Sequence, residues 1–133
     1  MEIPADKKTF EMSSSILWFD EDGILFSIPK PGMPPELTMD EILQEMEKFR
    51  VITGNKKVCM IAESNSKSRP PNKSERDFIA EQINSVTKAM AIITISPVTR
   101  MIANLFFALK PPTYPAKMFT NEKEAKEWIR QYI

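Results

Sequence analysis

The chain of 133 residues has no histidine, one cysteine and three glycines. Each shortage excludes a class of chemistry. Without histidine there is no side chain whose ordinary pKa suits proton transfer near neutral pH, and Ser-His and Cys-His nucleophile pairs cannot be assembled. One cysteine forms no disulfide within the chain and, with no histidine beside it, no common zinc ligand set. Gly23, Gly32 and Gly54 stand too far apart to make a phosphate-cradling loop or a dinucleotide fingerprint. No apolar run approaches the roughly 20 residues of a membrane span. Eighteen basic residues balance eighteen acidic ones, so the average charge offers no basic surface to nucleic acid or an anionic membrane. A start of Met1, Glu2, Asp6, Lys7 and Lys8 does not have the form of a secretory leader, and the expected location is cytoplasmic.

What is present is ordinary globular material. At 42% hydrophobic and 27% charged, a chain of this length makes one domain and buries roughly two-thirds of its unfolded surface. Residues 1–9 read as a polar tail and 10–133 as the domain. Ile16–Phe19 and Ile24–Ile28 are short aromatic and branched runs on either side of Asp20-Glu21-Asp22-Gly23, an antiparallel hairpin with glycine at the positive-φ position, extended backwards through Phe10 and Met12. Four prolines between Pro29 and Pro35 stiffen the exit.

Thr38-Met39-Asp40-Glu41 has the form of a capping box. Met39, Ile42, Leu43, Met46 and Phe49 follow at helical spacing, and Gly54 closes a helix over 38–53. Val58–Ala62 is continuously apolar, an interior strand in which Cys59 is a buried small hydrophobe. A polar loop runs from Glu63 to Ser74. Phe78, Ile79, Ile83 and Val86 mark a second helix starting near Lys73, and Ala89–Ile95 is another interior strand. Ser96-Pro97 pairs an N-cap with proline at the first helical position, and Val98, Met101, Ile102, Leu105, Phe106 and Leu109 form the apolar face of a third helix. Lys117–Phe119 is a short last strand. Asn121 caps a final helix carrying Ala125, Trp128, Ile129 and Tyr132. A hairpin followed by alternating helices and strands predicts an α/β fold, its mixed, mostly parallel sheet of five strands flanked by about four helices.

Two surfaces stand out. The 63–74 loop leaves the carboxyl end of a strand, where parallel sheets place their binding crevices, and carries Lys67, Arg69, Asn72, Lys73 and Ser74. Positive charge and free N–H groups at a helix start suit an anion or phosphoserine; a solvated connection with Asn72 or Ser74 as helix cap is the plainer account. The third helix is apolar over most of its circumference, with Asn104 as its uncharged polar interior residue and with Phe106 and Phe107 adjacent, so that they point different ways. Such a helix is deeply buried or presents a hydrophobic strip to a partner, a ligand or a second copy of the chain; the expectation is core packing for Phe106 and a dimer or ligand surface for Phe107.

Several stretches resemble the STAS/SpoIIAA-like group of small bacterial domains: Ser96–Asn104, Pro115–Ile129, the hairpin ending Asp22-Gly23-Ile24-Leu25, and Ser74–Phe78. The resemblance spans about residues 10–133 and implies a SpoIIAA-like fold and a non-enzymatic regulatory role without metal or cofactor. Its relatives act on protein partners as anti-sigma-factor antagonists, switched by phosphorylation of a serine at the start of the second helix. Others are associated with lipid or small apolar ligands. Ser74 corresponds best to that serine, although Lys73 stands where the antagonist motif has an acid, and Glu75-Arg76 follows where a glycine is usual. The expectation is a regulatory or protein–protein interaction module that uses the 63–74 loop and the adjoining helix starts; the alternative is a carrier or sensor of an apolar ligand, with the third helix lining its pocket.

Overall fold

A computed structural model describes residues 1–32, 35–64, 81, 84–109 and 113–133, without the side chains of Ile102, Phe106 and Phe107. Six strands form one mixed sheet in sequence order: β1 (Phe10–Glu11), β2 (Ser15–Phe19), β3 (Leu25–Pro29), β4 (Val58–Glu63), β5 (Thr87–Ile93) and β6 (Ala116–Phe119). Pairs β1–β2 and β2–β3 are antiparallel, and the remaining three are parallel. Three α-helices are described, α1 (Met39–Thr53), α2 (Pro97–Leu109) and α3 (Glu122–Ile129), and a 3-10 turn follows at Arg130–Tyr132. The helix expected from Lys73 to Val86 lies mostly outside the described residues.

The expected count of five strands is corrected to six. Phe10 and Met12 do not prolong the first hairpin strand: the chain reverses at Ser13-Ser14, where Met12 N–H donates to Ser15 C=O at 2.9 Å, and Phe10–Glu11 returns as a separate edge strand. Other boundaries move as well: β3 runs Leu25–Pro29, β5 begins at Thr87 and β6 at Ala116. Glu63, expected in the loop, ends β4, and Ser64 N–H still donates to Ile93 C=O on the sheet. Ile95, expected in a strand, follows the end of β5 and is 88% exposed.

Local signals explain most of the elements. Asp20 Oδ1 accepts from the N–H groups of Asp22 and Ile24, both at 2.9 Å, and Gly23 turns at φ 77°. The side-chain cap and the left-handed glycine together fix the register that pairs Trp18 with Phe26. Thr38 and Glu41 make both hydrogen bonds of the capping box at the start of α1, at 3.2 Å each, and Gly54 closes the helix at φ 66°. Thr38→Ala is expected to lower unfolding free energy by about 1 kcal/mol, read as the shift in urea midpoint at unchanged slope.

Strand alternation divides the core in two. On one face Trp18, Phe26, Cys59, Ile61, Ala89, Ala91, Ile93 and Phe119 pack with Ala125 and Ile129 of α3. On the other, Leu17, Leu25 and Met60 gather with Met12, and Phe49 and Ile52 of α1 pack against them. Met1 also lies against the first cluster, its amino group 3.4 Å from Glu63 Oε2. Thr87 is 2% exposed, and among the described residues its Oγ1 is the buried side-chain polar atom without a hydrogen bond. Valine has the same shape without the orphan hydroxyl. Thr87→Val is therefore expected to stabilise the fold by about 1 kcal/mol, and a loss of stability in the same urea assay would contradict the assignment.

Candidate functional site

The α2 helix starts as its sequence dictates. Ser96 Oγ accepts from Thr99 N–H at 3.2 Å, and Ser96 C=O accepts from Arg100 N–H at 3.0 Å, with Pro97 in the first turn. Its attachment runs through Asn104. Pro115, just before β6, and Phe119 at its end direct their carbonyls to Met90 of β5 and to Thr94 just after it, so Met118, out of phase with them, turns its N–H and C=O away from β5. The Asn104 side chain meets both groups: Oδ1 accepts from Met118 N–H at 2.9 Å, and Nδ2 donates to Met118 C=O at 3.2 Å. One carboxamide thus replaces the ladder bonds that a seventh strand would make to Met118. The opposite edge is treated similarly. The outward carbonyl of Glu11 on β1 accepts from Lys48 Nζ of α1, and Glu45 accepts from the N–H and hydroxyl of Ser13 in the neighbouring turn. Unpaired strand edges invite other chains, and here both carry a side-chain cover.

The outer face of α2 is apolar and open to solvent. Val98, Met101 and Leu105 are each 60% exposed, Leu109 is 86% exposed, and Ala108 is exposed beside them. At 3.6 residues per turn these five positions share an arc of roughly 100°. Arg100 is the one charged residue of the helix. This contrasts with α1 and α3, which begin with acids and carry charges along their length. These side chains are therefore not deeply buried.

The predicted site residues fare unequally. Asn104 is engaged with β6 and holds the helix whose outer face forms the strip. Phe106 and Phe107 belong to α2, but their side chains lie outside those described. The loop residues Lys67, Arg69, Asn72, Lys73 and Ser74 all lie outside the described residues. Val98, Met101, Leu105 and Leu109 were legible only as an apolar helix face. Nothing in their spacing separates that face from a core face.

Titratable groups elsewhere have structural roles. Burial pushes the Cys59 thiol up, away from the reactive thiolate, and pushes the Tyr114 phenol up as well. A hydrogen bond from Lys7 at 2.8 Å holds the exposed Glu21 carboxyl below its ordinary value, and the same contact raises Lys7. Among the described residues no three acidic, histidine or cysteine side chains gather to hold a metal ion. No described helix is long and apolar enough to cross a membrane.

The fold and site define an α/β protein built on a six-stranded mixed sheet, with edge-capping side chains and an exposed apolar helix. Residues 17–133 match a family described as a domain of unknown function, DUF7793, and the chain belongs to that family. No curated protein matches. Among solved structures, the chain is similar to a protein of unknown function from Arthrobacter sp. FB24, at 21% identity over 86% of this chain and 92% of the other. The TM-score is 0.27, and this likeness carries no argument about fold or function. Neither match names the STAS/SpoIIAA-like group.

Proposed function

We propose that the protein is a non-catalytic interaction module, regulatory in the sense that it acts by docking, and that its docking surface is the outer face of α2. The observation that carries this reading is the row Val98, Met101, Leu105 and Leu109, four large apolar side chains exposed in succession on a helix with a single charge. Exposed large hydrophobics are common singly. A contiguous row of them marks a surface that is covered by something else. The inventory of side chains supports the same reading, since a chain without histidine, whose one cysteine is buried, has few of the usual means of bond-making.

Site-specific photo-crosslinking in the producing cells tests it. A benzophenone side chain at Leu109 should yield covalent adducts with protein, whereas one at Lys123, an exposed residue of α3, should yield none above background. Adducts at neither position, or adducts at Leu109 with lipid or another small apolar molecule alone, would replace the reading with a different one.

A further inference from the structure

We infer that the partner of the α2 face is a second copy of this chain, paired about a two-fold axis that passes between Met101 and Leu105. The inference rests on the interaction reading above and gives that surface its occupant.

Three observations support it. The first is spacing. Val98, Met101, Leu105 and Ala108 recur at intervals of three, four and three residues, the seam spacing of helices that pack on one another, and all four are exposed. The second is area. Ile95, Val98, Met101, Leu105 and Leu109 have exposures between 60% and 88%. On ordinary side-chain areas, complete covering of these five, with Ile95 just before the helix, removes at most roughly 600 Å² per copy and about 1,200 Å² for a pair, the low end of the range of stable specific interfaces. The third is self-complementarity. A two-fold axis at the middle of the seam pairs the helices antiparallel, sets Met101 against Leu105 of the second copy, and sets Val98 against Ala108. A larger side chain then meets a small one at the ends, and the helix dipoles oppose. Arg100 lies off the seam, and the chain has no net charge to repel its copy. Pairing through the sheet edges is disfavoured, because Asn104 covers β6 and Lys48 reaches the outward carbonyl of β1.

The register gives the experiment its discrimination. Light scattering on purified wild-type protein at about 100 µM should return twice the chain mass of 15.3 kDa. Met101→Lys and Leu105→Glu should each return the single mass, since each places two charges in the seam. Mixing the two variants should restore the double mass, because the introduced lysine of one copy then faces the introduced glutamate of the other while the second contact stays apolar. Both positions are 60% exposed, so the circular dichroism spectrum of each variant should match wild type, and its urea midpoint should match that of wild type diluted until it is monomeric. If either variant is unfolded, Val98→Lys takes its place in the monomer test. Dimers that persist in both variants, or a mixture that stays monomeric, would overturn the inference. A monomeric wild type that still crosslinks to another protein through residue 109 would also overturn it while leaving the interaction reading standing. A monomer that crosslinks to no protein would remove both.

Discussion

Trp18→Ala is expected to lower the unfolding free energy by about 3–5 kcal/mol, the range for truncating a large aromatic in a packed core. Trp18 is 3% exposed. Its ring stacks on Phe26 of the adjacent strand, with centroids 5.5 Å apart and planes 8° from parallel. On the same face of the sheet lie Ile61, Ala91 and Ile93 of the central strands, and Ala125 and Ile129 of α3 complete the cluster. Alanine leaves a cavity in that cluster. Urea unfolding monitored by circular dichroism measures the loss. A decrease below about 1 kcal/mol would mean that the hairpin is not part of the main core. The contrast is Phe10→Ala on the edge strand β1, where the ring is half-buried and the loss should be clearly smaller.

The second large effect is expected at Asn104. Asn104→Leu keeps the approximate volume and removes both bonds to Met118, which should cost about 1–3 kcal/mol and detach α2 from β6. The uncovered edge should also make the protein lose solubility on heating, seen as scattering that rises with concentration. Asn104→Asp gives a more specific reading. A protonated carboxyl can donate to Met118 C=O and accept from Met118 N–H, as the amide does, whereas the carboxylate can only accept. The folded state therefore favours the protonated form, and the aspartate's pKa lies above its value in the unfolded chain. The contribution is present below the unfolded-state pKa and disappears as pH rises through the folded-state pKa, so the variant should gain on wild type as pH falls. A pH-independent difference between the two proteins would show that the paired bonds do not carry the effect.

Much of the architecture is legible because its determinants are local. Thr38 with Glu41, Asp20 with Gly23, Ser96 with Pro97, and Asn121 before Glu124 each set a helix or turn through bonds that span four or five residues. The parallel half of the sheet follows from strand–helix alternation. The sixth strand escapes because two residues, Phe10 and Glu11, are too short to show alternation, and only the Ser13-Ser14 reversal separates them from β2. The site is legible in part for a different reason. Periodicity tells which side chains of α2 share a face but not what covers that face, so the strip and a buried core face look alike in one dimension. Asn104 is conspicuous as a polar residue in an apolar helix, yet its partner lies fourteen residues away on an edge that exists only once the sheet has formed.

The sheet's strands stand side by side in the order in which they are synthesised. Each strand after the first therefore meets a neighbour that has already left the ribosome, and no later strand has to be threaded between two earlier ones. The main core cluster is completed only after the described strands have formed, by Ala125 and Ile129 of α3. During translation Trp18 and Phe26 belong to an unfinished cluster until α3 emerges, which makes the interval before α3 docks the moment when a nascent chain most needs protection from its neighbours.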